Sequence, residues 1–138
     1  MDTGPMVAIV NRGDSYHREC VELLRSLYGP LYTTIQVLTE AMYLAGARLG
    51  WPAQAALWKM ILRSDLLLES ASPQELNRMA ELMEKYRDHP MDFADASLVA
   101  LAERLSLNRI FTLDVNDFSS YRMRGNRPFM LLGPRTSS

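Results

Sequence analysis

The chain reads as an α/β protein, and three observations carry that reading. Short apolar or β-prone runs at 31–34, 66–68, 110–113 and 129–132 alternate with longer stretches of helical periodicity. That is the pattern of a mainly parallel sheet covered by helices on both faces. The stretch 91–122, MDFADASLVALAERLSLNRIFTLDVNDFSSYR, condenses it into a turn, a helix, a buried strand and a second turn. Its aspartates stand only at junctions: Asp92 and Asp95 where the helix begins, Asp114 and Asp117 where the apolar run 110–113 ends. In an open α/β sheet, ligands sit outside the carboxyl ends of the strands, so function is expected at those junctions.

Taken in order, the chain opens with Asp2, Thr3, Gly4 and Pro5, and the apolar run 6–10 fits a short helix or a strand. Asp14 and Ser15 start a helix to about residue 27, stopped by Gly29 and Pro30. Residues 31–34 (LYTT) suit a strand that feeds directly into a helix over 35–49. On that helix Glu40 lies just beyond the edge of the apolar face, where a carboxylate reaches a half-buried cleft. Gly50 and Pro52 end it, and 53–63 restarts one. A buried strand at 66–68 follows, then a helix opened by Ser72, Pro73 and Glu75 and running to about 87. After the helix at about 95–107 and the strand at 110–113, Pro128 and the run 129–132 suggest a last strand before a frayed polar tail.

The totals exclude several classes. At 138 residues the chain is expected to be one domain, 1–138, large enough for a real core. A net charge of −1 gives no overall basic field, but the charge is unevenly placed. Eight acids fall between Asp65 and Asp95, whereas 122–135 carries Arg122, Arg124, Arg127 and Arg135 with no acid. Arg122, Arg124 and Arg127 follow the acid-bearing strand end and are candidates for holding phosphates. Cys20 is the sole cysteine, so no internal disulfide forms, and with only His17 and His89 beside it a Cys/His zinc cage is excluded. The two histidines read as surface or helix-end residues. No apolar run approaches the ~18 residues of a membrane span, and a cytoplasmic location is the default. Phosphate-loop, GxGxxG, GxSxG and HExxH motifs are absent. Met42, Met60, Met79 and Met83 recur at helical spacings and read as filler of the core or of a subunit contact. Trp51 and Trp58 flank an apolar helix, and part of 35–63 is expected to meet a second subunit or another protein.

The acids matter most together. Asp2, Glu40, Asp95, Asp114 and Asp117, with Asp92 as a nearby extra, all lie at the ends or edges of expected elements. Singly each has a structural explanation: helix cap, solvated glutamate or turn aspartate. Gathered on one sheet edge, they would repel and raise one another's pKa values unless a cation joined them. Carboxylate oxygens suit a hard ion, Mg²⁺ or Mn²⁺, and an ion-activated water points to phosphodiester hydrolysis. Asp114 ends the strand, where a side chain is well fixed, and is expected to be the closer ligand. Asp117, read as lying on a turn, would act through water.

The residues DTGPMVAIVNRGDSYH at 2–17, Glu40 on a helix after TT, MDFADASLVALAERL at 91–105 and IFTLDVNDFSSYR at 110–122 together resemble the PIN domain, specifically the VapC-like toxins of bacterial toxin–antitoxin pairs. The resemblance implies a three-layer α/β/α fold, Mg²⁺ or Mn²⁺ dependence, endoribonuclease activity on RNA, a homodimer and a cognate antitoxin. It assigns Asp2, Glu40, Asp95 and either Asp114 or Asp117 as metal-binding acids, with Thr3 and Thr112 as hydroxyls beside the site. A non-cutting RNA- or protein-binding module and an RNA-processing nuclease without an antitoxin are the competing readings. Relatives carry a short apolar strand before the first aspartate, where this sequence has only Met1. The expectation is therefore that the sequence starts upstream or that the sheet lacks part of its central strand.

Overall fold

The computed structural model describes residues 1–134; the polar tail, with Arg135, lies outside them. The chain begins with helix α1 (Thr3–Val10), so the ambiguous run 6–10 is helical. Asp2 caps it by accepting from Thr3 N, and Pro5 lies in its first turn, where no proline N–H is needed. Helix α2 (His17–Ser26) follows. Strand β1 (Tyr32–Thr34) runs straight into α3 (Ile35–Leu49), whose N-cap Thr34 accepts from Val37 N. Gly50, at φ 82°, closes α3 and leads at once into α4 (Trp51–Leu62). Helix α4 thus starts earlier than residue 53, because Pro52 serves in its first turn instead of marking a gap.

Strand β2 (Leu67–Glu69) pairs in parallel with β1, Thr33 opposite Leu68. Helix α5 (Pro73–Lys85) opens with the capping box of Ser72 and Glu75. It packs on α6 (Phe93–Leu105), which is buried along Ala94–Leu101 and also packs against α3. Strand β3 (Arg109–Phe111) pairs in parallel with the last strand, Met130–Leu132. Three elements between them go beyond what the sequence predicts. The segment after Asp114 is helix α7 (Val115–Ser120), so Asp117 lies on a helix and not on a turn, anchored by the buried Phe118. Then β4 (Arg122–Met123) and β5 (Arg127–Pro128) form an antiparallel hairpin, and the last strand becomes β6. Gly125 and Asn126, at φ 77° and 57°, turn this hairpin, a conformation that suits these two residue types.

The class is α/β, with two parallel pairs, β1–β2 and β3–β6. Met1 and Asp2 run between the pairs. The Met1 amine donates to Tyr32 O, Thr33 Oγ1 donates to Met1 O, and Asp2 N donates to Phe111 O. These bonds bring Asp2 to the ends of both β1 and β3. Behind Met1 lies an apolar cavity of about 250 Å³, lined by Leu31, Tyr32, Leu98, Ile110 and Phe111 among others.

Candidate active site

The site is built outward from Asp2. Its Oδ1 accepts from Thr3 N at 2.8 Å, and its Oδ2 accepts from Thr112 Oγ1 at 2.8 Å. The same Thr112 oxygen accepts from Asp114 N at 2.9 Å, so one buried hydroxyl at the end of β3 positions two acids. Burial pushes the Asp2 carboxyl above its ordinary pKa, while the bonds from Thr112 and Thr3 and the nearby amine pull the other way. Thr3 Oγ1 donates to Glu40 Oε2 at 3.2 Å, which ties α1 to α3. Glu40 is raised as well, by desolvation first and then by Asp92 and Asp2.

At the start of α6, Asp92 is the N-cap and accepts from Asp95 N at 2.8 Å. Asp95, only 7% exposed, sits inside the first turn. Burial, then the charges of Asp92 and Asp2, push its carboxyl up to about 8, against the opposing hydrogen bond from Tyr121. Tyr121 is fully buried and its hydroxyl donates to Asp95 Oδ2 at 3.1 Å. Asp114, beside Asp117, is raised to about 6 by desolvation and by that neighbour.

All of these acids line one open cleft of about 450 Å³. Asp2, Glu40, Asp92, Asp95, Asp114 and Asp117 come from the starts of α1 and α6, the middle of α3 and the segment after β3. Their oxygens suit a hard divalent ion in kind. Among the described residues, no three such side chains already form a cage for one ion. The donor set fits an open site of the sort Mg²⁺ takes, with water completing the coordination. Asp2, Asp95 and Asp114 could hold such an ion: hydrogen bonds fix the carboxylates of Asp2 and Asp95, and Thr112 fixes the backbone of Asp114.

The three arginines expected to hold phosphates do not line this cleft. Arg122 Nη1 donates to Ser119 O and Tyr121 O, Arg127 Nε donates to Arg124 O, and Arg124 N donates to Glu103, itself gripped by Arg78. They decorate the β4–β5 hairpin instead. Neither histidine lines the cleft: His17 Nδ1 donates to Ala8 O, and His89 packs edge-on against Tyr86. Three lining or contacting residues went unassigned in the sequence. Asp14 was read only as a helix start, and its Oδ1 accepts from Tyr16 N at 2.8 Å. Arg48 could have been found from its four- and eight-residue spacing to Leu44 and Glu40. Tyr121 had no sequence signal that separates it from any other aromatic.

Comparison with known proteins gives consistent matches. The family model for the PIN domain matches residues 1–122. Over 132 residues the chain is 28% identical to Ribonuclease VapC26 of Mycobacterium tuberculosis, covering 96% of this chain and 98% of that protein. The crystal structure of M. tuberculosis VapC20, a sarcin–ricin-loop-cleaving toxin, superposes with a TM-score of 0.78 at 22% identity, covering 83% of this chain and 88% of that one. A toxin–antitoxin complex from Klebsiella pneumoniae superposes with a TM-score of 0.63 at 21% identity, covering 86% and 88%. The structural likenesses speak to the fold.

Proposed function

The chain belongs to the PIN-domain family, and from that premise we propose that it is an endoribonuclease dependent on Mg²⁺ or Mn²⁺, the toxin of a VapBC-type pair. The observation that carries the reading is the convergence of Asp2, Glu40, Asp92, Asp95, Asp114 and Asp117 on one cleft. A divalent ion bound there supplies an activated water and neutralises charge developing on the phosphoryl oxygens. The chain's own part is positioning. Thr112 and the α1 backbone hold Asp2, Tyr121 holds one oxygen of Asp95, and Glu40, exposed and bonded by Thr3 at Oε2, is an acid able to take a proton from water at Oε1. Without metal, the acid cluster repels RNA phosphates, so metal serves binding as well as cleavage.

A cognate antitoxin and a second copy of the chain are the proposed protein partners, in the cytoplasm. Tyr43, Trp51, Trp58 and Leu62 on α3 and α4 stand 74%, 65%, 45% and 77% exposed, an aromatic-rich surface suited to such contact. Sedimentation of the purified protein at micromolar concentration, alone and with antitoxin, tests that surface; a monomer indifferent to antitoxin would remove it. The activity is tested by incubating the protein with structured and single-stranded RNA in Mn²⁺. Cleavage that stops on adding EDTA is expected. A folded protein that leaves both RNAs intact in Mg²⁺ and in Mn²⁺ would overturn the nuclease in favour of a non-cutting binding module.

A further inference from the structure

The acid cleft is lined by one cationic side chain among the described residues, Arg48. Its place follows from helix geometry: Glu40, Leu44 and Arg48 succeed one another at four-residue steps along one side of α3, and all three line the cleft. Arg78 and Arg104 are tied to acids, and Arg122 and Arg127 donate to backbone carbonyls. Arg48 has no such partner among the described residues, despite seven carboxylates around the same cleft: Asp2, Asp14, Glu40, Asp92, Asp95, Asp114 and Asp117. A charge in the last turn of α3 also favours the helix dipole, but that effect depends on position along the helix and not on which way the side chain faces.

We propose that Arg48 binds an RNA phosphate at the edge of the acid cleft, next to the bond to be cut. This rests on the RNA-cleaving reading above and names the group that receives the polyanion. The cleft's negative charge discourages phosphate, and a guanidinium with uncommitted donors offers a forked, two-bond grip on it. The ion end of the cleft and Arg48 then hold the backbone at two points, which orients it across the carboxylates. The anion grip assigned from sequence to the hairpin arginines thereby falls to a residue of α3.

The test uses fluorescence anisotropy of a labelled single-stranded RNA in Mn²⁺, with Asp95→Asn as the non-cutting background. Adding Arg48→Ala is expected to weaken binding about 10-fold and to flatten the dependence of log Kd on log salt by about 0.7, the release expected for one phosphate contact on a single strand. Arg48→Lys should restore the salt dependence and most of the affinity. Arg18→Ala, whose arginine is 89% exposed on α2 and paired with Glu22, is the control and should change neither. If Arg48→Ala leaves affinity and salt dependence alone, or changes only the melting temperature, Arg48 is a helix-end charge and the proposal fails. It fails too if neither the background protein nor the wild type binds RNA. Cleavage by the wild type is scored separately. Arg48-dependent binding without cleavage would retire the nuclease and keep this assignment, whereas cleavage with no Arg48 dependence would do the reverse.

Discussion

Asp95 is buried, receives one bond from Tyr121 and stands beside two other acids, so its charged form is costly until a cation arrives. With its pKa raised from 3.8 to about 8, the folded state holds a proton that the unfolded state has released across that interval. The metal-free protein therefore loses stability as pH rises from about 4 to about 8. The Met1 amine, lowered to about 5 by burial, acts in the opposite sense, but it is common to wild type and variant and cancels in their comparison. In EDTA, Asp95→Asn should melt several degrees above the wild type at pH 8, with the difference vanishing towards pH 4; calorimetry at both values checks this. With Mn²⁺ present the same variant should hydrolyse RNA at least ~100-fold more slowly, the scale for losing a preorganised electrostatic contact. An Asp95→Asn protein that melts below wild type at pH 8 would show that the carboxylate is not strained there.

The start of α6 shows how one element serves both stability and charge. Asp92 satisfies the Asp95 N–H, and its own charge helps to raise the Asp95 carboxyl. Asp92→Ala should cost about 1 kcal/mol in urea denaturation, the usual worth of a cap. Asp92→Ser should keep the cap, hold stability near wild type and shift the onset of Mn²⁺ binding to lower pH; equal stability losses in the two variants would contradict this division of roles. Helices α3, α5 and α6 were legible in the sequence because each combines apolar period with a capping residue, and the aspartates stood out because they mark element ends, with Glu40 at the edge of an apolar helix face. Helix α7 was not, since VNDFSS is too short to show a period and its one buried anchor is Phe118. The hairpin was equally hidden, because its strands are two residues long and are held through Glu103 and Tyr86, which lie far away in sequence. Arg48 was missed for a related reason: its spacing places it on the Glu40 side of α3, but only the fold shows that this side faces the other acids.

At the scale of the molecule, the sheet positions the site through contacts that no local pattern could disclose. Gly133 lies so close to Thr112 that a Cβ would collide with the Thr112 carbonyl oxygen, and Thr112 is the residue that holds Asp2 and Asp114. Gly133→Ala should lower the melting temperature and weaken Mn²⁺ binding together, whereas Gly29→Val, at a position with open space around it, would test backbone strain alone and should spare metal affinity. Retained Mn²⁺ affinity in Gly133→Ala would show that the end of β3 adjusts without disturbing the acids. The alternation of strands and helices was readable from the sequence, but the way Met1 and Asp2 lie between β1 and β3 was not, because it depends on three hydrogen bonds to residues 31 to 109 positions away. That arrangement has a practical consequence for anyone preparing the protein. A purification tag fused ahead of Met1 would replace the amine that donates to Tyr32 O with a peptide bond, at a buried position beside the apolar cavity and one residue from Asp2. A change in Mn²⁺ affinity on adding such a tag would report a disturbed seat for Asp2 and not the chemistry of the acids.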